Sequence, residues 1–159
     1  MIQGKLLSFG DDLKDVIDIR RRVFVDECNV AEEREFDNLD SSSIHVLVYE
    51  EASTSEVGKD QKTAVATGRI QYDGQVCNIG HIAVLKEFRN KKYGDFTVRM
   101  LLNKAFTSGI EEVIVYSPFE TTKFFNKLGF KFEVEGDKNN NLLSKMVIKS
   151  HDVKKICKL

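Results

Sequence analysis

A basic loop between an apolar segment and a helix-like segment is the part of the sequence best suited to chemistry. It reads LKEFRNKKYG and places Arg89, Lys91 and Lys92 directly before Gly94. A strand, a short loop and the first turn of a helix leave backbone N–H groups free, and the helix dipole adds to their attraction for an anion. The pattern predicts a phosphate-binding turn. The alternative interpretation is a solvated charged loop before an ordinary helix.

Two familiar nucleotide-binding loops are absent from the sequence. It contains no GxxxxGK[ST] segment, and no GxGxxG follows the first predicted strand. These absences argue against a P-loop NTPase and against a Rossmann dinucleotide site.

The elements that position the basic loop follow from hydrophobic periodicity. Residues 29–40 are acidic and predict a short helix and a loop, and the polar residues 51–62 predict a long exposed hairpin loop. The longer patterns predict one mixed sheet with helices on its faces, an α/β or α+β domain. Helices are predicted over 12–24, 94–108 and 118–128, and strands over 2–8, 43–50, 63–72, 75–85, 111–117, 129–136 and 142–149.

Capping and turn residues mark several boundaries of these elements. The first helix is expected to be capped by Asp11 or Asp12. The dipeptide Asp73–Gly74 predicts a hairpin turn. Gly109 is a natural helix stop. Ser117 is the expected cap of a helix whose first turn contains Pro118.

The composition favours a single cytoplasmic domain that spans residues 1–159. The chain has 42% hydrophobic residues and a net charge of −1, so we expect no general affinity for nucleic acid or for membranes. The first residues show no secretory signal, and no apolar run is long enough to span a bilayer. Cys28, Cys77 and Cys157 indicate neither a disulfide framework nor a metal site, because they are odd in number and widely spaced.

Several ordered segments resemble the GNAT superfamily of N-acetyltransferases. The acyl-CoA loop of that superfamily begins with Gln or Arg a few residues beyond a strand of the form IAV, and HIAVLKEFRNKKYG reproduces this order with Arg89 and Gly94. The segments IRRRVFVDECNV, EFDNLD and FFNKLGF also resemble GNAT segments in their order and spacing. The resemblance implies a GNAT fold, α/β (mixed α+β), with a central twisted mixed sheet of about six to seven strands. Helices would flank both faces, and the fourth and fifth strands would splay apart in a V.

The resemblance also implies acetyl-CoA as the cosubstrate and no metal. The pantetheine arm would pair with backbone groups of the IAV strand, and the amides of the basic loop would hold the pyrophosphate. The residues that it assigns to the cofactor are Ile82, Ala83, Val84, Arg89, Asn90, Lys91, Lys92, Tyr93, Gly94 and Phe124.

Direct attack by a neutral amine on the thioester, which the resemblance implies, requires a base and benefits from an acid. His81 is the first candidate base because imidazole suits proton transfer near neutrality, and Glu27 is the second. Tyr116 is a candidate acid. The structural alternatives are a satisfied histidine and a packed tyrosine. An acidic run suits a cationic acceptor, and its alternative is a solvated face; its members are Glu32, Glu33, Glu35, Asp37 and Asp40.

The sequence departs from the family pattern at three positions of the expected cleft. Phe125 replaces the usual tyrosine, Lys92 replaces a glycine that permits positive φ, and Leu143 stands where a related branch has histidine. The first hypothesis is an N-acetyltransferase that acts on a small-molecule or peptide amine, and a homodimer is possible in such folds. The second is a non-catalytic acyl-CoA-binding or protein-interaction module. The third is a different phosphate ligand in the same loop.

Overall fold

The computed structural model describes residues 1–52 and 61–156, with side-chain surroundings as far as residue 153. The hairpin loop predicted over 51–62 lies for the most part outside the described residues, and Cys157 lies outside them too. Within the described ranges, every helix is too short or too polar to cross a membrane.

The described residues form seven strands and five α-helices, together with short 3-10 turns at 40–42, 86–88 and 119–121. A π-helical segment, Arg21–Glu27, continues directly from the first helix. The strands are β1 Ile2–Leu7, β2 Ile44–Ala52, β3 Gln61–Asp73, β4 Val76–Val84, β5 Glu112–Ser117, β6 Lys131–Val134 and β7 Ser144–Lys149. The helices are α1 Lys14–Arg20, α2 Glu32–Glu35, α3 Tyr93–Thr107, α4 Thr122–Lys127 and α5 Ser150–Ile156.

The strands form one mixed sheet in the order β1-β2-β3-β4-β5-β7-β6. Neighbouring strands at both ends are antiparallel, whereas β4 and β5 are parallel. The parallel ladder runs from the Val76–Glu112 pair to the Ile79–Val115 pair and ends there, although β4 continues to Val84. The mixed sheet flanked by helices, with its parallel β4–β5 pair, is confirmed.

The chain divides into two compact units that share β4 and α3. The first comprises residues 1–71 and 81–101, and the second comprises residues 72–80 and 102–159. The basic loop, His81 and Glu27 belong to the first unit, whereas Tyr116 and Phe124 belong to the second. The single-domain interpretation stays a prediction.

In the first unit, opposite faces of the strands carry different helices. Side chains alternate along a strand, so Leu47 faces one side and Val46 the other. Leu47 packs with Val16 and Ile19 of α1 in a buried apolar cluster that also contains Leu7, Val23, Ala83 and Leu85. The other face closely approaches α3, because an added Cβ at Gly68 would meet side-chain atoms of that helix.

The core of the second unit lies around β5, β7 and α4. Phe125 of α4 makes edge-to-face contacts with Phe124 and with Phe130, at ring-centroid distances of 5.1 and 5.5 Å. Val113 of β5 and Met146 of β7 are also fully buried. The residue at the usual tyrosine position is therefore a packed core side chain.

Several predicted boundaries differ from the structure for local hydrogen-bonding reasons. The helix expected over 12–24 starts at Lys14, whose N–H donates to Oδ1 of Asp12, and becomes π-helical after Arg20. The predicted cap at Ser117 is wrong, because its hydroxyl bonds the Pro118 carbonyl instead of a helix N–H. The tail forms α5, although its sequence is weakly patterned and predicts no helix.

Other local predictions are matched closely. Gly74 follows β3 with a φ of 62°, as a tight hairpin turn requires. Gly109 has a φ of 88° and donates to the Phe106 carbonyl, while the next residue donates to the Ala105 carbonyl. This pair of bonds closes α3 at the predicted stop.

Replacement of Gly68 by alanine tests the close approach of α3 to β3. The new Cβ would lie 2.8 Å from Cδ1 of Leu101 and 3.1 Å from Cγ2 of Thr97, both in fully buried side chains. We expect the free energy of unfolding in urea to fall by about 1–3 kcal/mol because the core has no room for the methyl group. Gly80→Ala is the matched control, since nothing lies within 4 Å of its added Cβ. An equal free energy of unfolding in the two variants would contradict the close packing of α3 against Gly68.

Candidate active site

The basic loop presents a continuous run of unpaired backbone donors. No described residue accepts a hydrogen bond from the N–H groups of residues 90 to 95. The first N–H of α3 that has a backbone acceptor is that of Phe96, which donates to the Lys92 carbonyl. The run begins after the 3-10 turn that follows β4 and ends in the first turn of α3. These N–H groups, together with the helix dipole, suit a phosphate group.

Two residues of this loop adopt the left-handed backbone conformation without being glycine. Asn90 has a φ of 63° and Lys92 has a φ of 67°. Asparagine tolerates this region, whereas lysine is disfavoured there by about 1–2 kcal/mol. Lys92 thus retains the backbone shape that the family's glycine would give, and it adds a charged side chain.

Two side chains of the loop, those of Tyr93 and Lys91, are held by the protein itself. The buried phenol of Tyr93 donates a short hydrogen bond to Glu50, and burial together with this bond raises the pKa of Tyr93 to about 12. The ammonium group of Lys91 lies over the ring of Phe88, 5.4 Å from its centroid. The backbone N–H groups of residues 90 to 95 and the side chain of Lys92 therefore remain for a ligand.

Arg89 is engaged by the π-helical segment. Its two terminal nitrogens donate to the two carboxylate oxygens of Glu27 at 2.5 and 2.7 Å, and its Nε donates to the Val84 carbonyl at 3.1 Å. The Arg89 hydrogen bond lowers the pKa of Glu27. A lowered pKa makes Glu27 a weaker proton acceptor, so this carboxylate is better placed to fix the loop than to act as a base.

A cleft of mixed charge adjoins this ion pair in the first unit. Its volume is about 400 Å³, and Glu27 lines it together with Arg22, Asp26 and Lys86. π-Helical turns often occur at functional sites because they displace side chains from the regular helical positions.

Arg20, at the end of α1, is the centre of a buried ion network, and it is only 1% exposed. Its Nε donates to Oε1 of Glu35 at 2.8 Å, and its Nη2 donates to the Glu35 carbonyl at 2.6 Å. Its Nη1 donates to Oδ1 of Asp40 at 2.7 Å, and Arg69 donates to the same oxygen at 2.9 Å. Arg69 also binds both carboxylate oxygens of Asp37, at 2.7 and 3.1 Å.

The network holds ionised carboxylates at the inner end of the acidic run. Hydrogen bonds from Arg69 lower the pKa of Asp37. Burial alone would raise the pKa of Asp40, but hydrogen bonds from Arg20 and Arg69 outweigh it, and the pKa lies below its usual value. Three carboxylates thus face two guanidinium groups, which leaves one negative charge in excess while the neighbouring histidines are neutral.

His81 joins this network from β4. Its Nδ1 lies 2.7 Å from Oε1 of Glu35 and 3.3 Å from Nη2 of Arg20, and its Nε2 lies 4.0 Å from Oδ2 of Asp37. Its side chain is 20% exposed. Its φ of 48° is left-handed, which is unusual within a strand and turns the imidazole toward α2. The structure therefore brings together His81 and the acidic run, which the sequence suggested separately.

Ile82, Ala83 and Val84 of β4 lie in the first unit, whereas two predicted residues lie in the second. Tyr116 of β5 is 53% exposed, and Phe124 of α4 is half-buried against Phe125. Among the described residues, no group of three or more His, Cys, Asp or Glu side chains is arranged to bind a metal ion.

Sequence reasoning missed the residues that organise the first-unit network. No role is assigned to Arg20, His45 or Arg69 from the sequence alone. The only available signal was the presence of charged residues at core positions of predicted elements, since Arg20 follows Val16 by four residues and His45 and Arg69 lie within apolar strands.

We expect His45 to make the free energy of unfolding depend on pH. His45 is a buried residue of β2 and pairs with Arg69 of β3. Its Nε2 donates to the Asp40 carbonyl, its Nδ1 has no partner among the described residues, and burial lowers its pKa. Because the unfolded chain takes up a proton below pH about 6.5 and the folded chain does not, the free energy of unfolding should fall as the pH decreases.

The test compares urea unfolding of the wild type with His45→Gln, which keeps an N–H donor. Between pH about 7.5 and about 5.5, the free energy of unfolding should change less steeply with pH in the variant than in the wild type. The difference in slope should be up to about 1.4 kcal/mol per pH unit, the contribution of one proton. His151→Gln, at an exposed position, is the control and should keep the wild-type slope. An unchanged slope in His45→Gln would show that His45 is not the group responsible.

Comparison with known proteins gives relatives of similar length. The uncharacterized protein YyaT of Bacillus subtilis (strain 168) is 31% identical over 139 residues, which cover 80% of this chain and 81% of YyaT. The uncharacterized N-acetyltransferase YjcF of the same organism is 29% identical over 121 residues, which cover 76% of this chain and 79% of YjcF.

Solved structures share the fold at low sequence identity. ElaA of Escherichia coli has a TM-score of 0.77 and 20% identity, over 94% of this chain and 100% of ElaA. The PaiA N-acetyltransferase of Thermoplasma acidophilum, solved in complex with coenzyme A, has a TM-score of 0.65 and 15% identity, over 94% of this chain and 99% of PaiA. The family profile of the GNAT acetyltransferases matches residues 13–130. The chain therefore belongs to the GNAT acetyltransferase family.

Proposed function

We propose that this protein transfers the acetyl group of acetyl-CoA to the primary amine of a small-molecule or peptide acceptor by direct attack. The observation that carries the proposal is the run of unpaired N–H groups from residue 90 to residue 95, in a chain of the GNAT family. A run of this kind, at the start of a 15-residue helix, matches the needs of a pyrophosphate group. The proposal includes a cytoplasmic location and allows a homodimer.

The residues present in the first unit fit coenzyme A. The amides of residues 90 to 94 would hold its pyrophosphate, since the N–H of Arg89 already donates to the Lys86 carbonyl. Backbone groups of Ile82, Ala83 and Val84 would pair with its pantetheine arm. The β4–β5 ladder ends at Ile79, so β5 does not take up the later backbone groups of β4. Phe124 is proposed as a further contact. When bound, acetyl-CoA supplies an activated thioester.

His81 is the proposed base for the acceptor ammonium. Its Nδ1 is hydrogen-bonded to Glu35, which leaves Nε2 for proton transfer on the partly exposed side. Glu27 is better suited to hold Arg89 and the loop, because both of its oxygens are bound by that guanidinium. Tyr116 is the proposed proton donor to the leaving thiolate, since Phe125 cannot donate.

The second candidate function is a non-catalytic acyl-CoA-binding or interaction module. The observation that favours it is the packing of Phe125 against Phe130, which places a core side chain where the family has an acidic hydroxyl. A thiolate is nevertheless a fair leaving group without assistance, because the pKa of a thiol is about 8.5.

Titration calorimetry with acetyl-CoA and with CoA tests the shared part of both functions. We expect saturable binding of each with a Kd below about 1 mM. Release of the CoA thiol is then followed in the presence of a panel of primary amines. Steady turnover with any amine supports the transferase and excludes the non-catalytic module. If neither compound binds, the transferase and the acyl-CoA-binding form of the second function are both refuted.

Substitution at Lys92 separates the roles of backbone and side chain in the loop. Because the amides are proposed to carry the binding, Lys92→Gly and Lys92→Ala should both keep the Kd for CoA within about threefold of the wild type. Lys92→Gly should also be the more stable of the two, since it relieves the left-handed strain. Lys14→Ala, which removes an exposed charge from the start of α1 and not from the loop, is the control. A loss of more than about tenfold in both Lys92 variants would assign the phosphate contact to the ammonium group.

A further inference from the structure

We propose that Glu35 is the positioning residue of His81, and that Asp37 and Nε2 of His81 together bind the ammonium group of a cationic acceptor. This inference rests on the proposed function, because it names the class of acceptor and the way the base is prepared. It depends on contacts within the first unit that are independent of the cofactor loop.

The contact between Glu35 and His81 fixes the tautomer of the imidazole. Oε1 of Glu35 lies 2.7 Å from Nδ1 of His81, a hydrogen-bonding distance that requires a proton between the two atoms. Nε of Arg20 donates to the same oxygen at 2.8 Å, so Oε1 is an acceptor in this network and the proton is assigned to Nδ1. The approach of Arg20 to Nδ1 at 3.3 Å is the longer and secondary contact. The neutral imidazole therefore has its lone pair on Nε2.

Glu35 is well suited to hold the imidazole still. Its side chain is 6% exposed, and Arg20 binds both its carboxylate and its backbone carbonyl. The ring of Phe24 makes an edge contact with the imidazole at a centroid distance of 6.2 Å. A buried carboxylate that is itself fixed by a second charged group can orient a histidine and stabilise its protonated form.

The distance between the side chains of His81 and Asp37 leaves room for one hydrogen-bond donor that contacts both. Nε2 of His81 and Oδ2 of Asp37 are 4.0 Å apart, which is too long for a direct hydrogen bond. With the lone pair on Nε2, both atoms are acceptors. A nitrogen with several N–H groups can lie about 2.8 Å from each of them and donate to both. An ammonium group has this geometry and the required charge.

The charges around His81 favour the same ligand. Glu35 and Arg20 face Nδ1, and Asp37 faces Nε2. Asp37 and Asp40 are held by Arg69, but the network keeps one negative charge in excess while His81 is neutral. A cationic ligand, or a proton on Nε2, balances this charge. A neutral or anionic ligand does not.

The proton moves from the bound ammonium group to Nε2 of His81. An N–H bond of the bound ammonium breaks, its electron pair remains on the nitrogen as the lone pair of the free amine, and Nε2 uses its own lone pair to form the new N–H bond. The product is an imidazolium ion between the carboxylates of Glu35 and Asp37. The imidazolium then returns the proton to solvent.

The first experiment reads the tautomer of His81 without any turnover. Long-range ¹H–¹⁵N spectra of the labelled full chain should show Nδ1–H with an unprotonated Nε2 in the wild type. Glu35→Gln should shift the population toward the Nε2–H tautomer, whereas Glu32→Gln should not. Glu32 is the matched control because it lies on the same helix and pairs with Arg21 at the surface. An Nε2–H tautomer in the wild type, or no change in Glu35→Gln, would overturn the positioning role.

The second experiment probes the ammonium site with n-butylammonium and with its neutral analogue 1-butanol. Saturable shifts of the His81 imidazole with n-butylammonium alone, weakened about tenfold or more in Asp37→Asn, support the cationic site. Equal shifts with both probes, or no shift with either, overturn it. Titration of the free chain makes this result independent of acetyl-CoA.

The kinetic arm uses any amine that supports turnover. Glu35→Gln should lower kcat by about 10–100-fold and alter the pH profile of kcat, with an unchanged Kd for CoA and partial rescue in Glu35→Asp. A purely structural role would lower the thermal midpoint and leave kcat per folded molecule and its pH profile unchanged. Lack of CoA binding refutes the proposed function but leaves the tautomer result to decide the role of Glu35.

Discussion

The first unit depends on the solvation of one guanidinium group, that of Arg20. Removal of such an ion from water costs several kcal/mol, and the structure tolerates it because each of the three nitrogens donates to a carboxylate or carbonyl oxygen. Its partners come from α2 and from the 3-10 turn that begins at Asp40, while β4 supplies His81 beside it. The requirement for these acceptors therefore fixes where these segments lie. The candidate base is held by the same contacts that satisfy the buried charge.

The basic loop could be predicted from sequence because its behaviour is local. Residues 90 to 95 lie between a strand and a helix, and the first N–H groups of any helix lack intrahelical acceptors. The turn at Gly74 and the stop at Gly109 were predicted for the same reason, since positive φ is a property of single residues. The mixed sheet followed from the order of apolar segments together with the family resemblance.

The buried network could not be predicted, because its partners are distant in sequence. Glu35 and Glu32 belong to one acidic helix, yet Glu35 is buried and Glu32 is exposed. Composition cannot distinguish them, and the difference arises from Arg20, 15 residues earlier. The π-helical segment was missed for a related reason. The N–H of Cys28 donates to the Val23 carbonyl, five residues earlier, and this spacing changes which side chains share a face of the helix. The pattern of apolar residues in the sequence does not show this change.

The left-handed backbone of His81 limits which residues can replace it. Only glycine, asparagine, aspartate and histidine adopt such a φ at low cost, so alanine at this position combines loss of the imidazole with a strained main chain. β-Branched residues would disturb the strand still more. Natural variation here should accordingly be confined to that small set of residue types. Asparagine is the substitution that removes the base while keeping the local shape of β4.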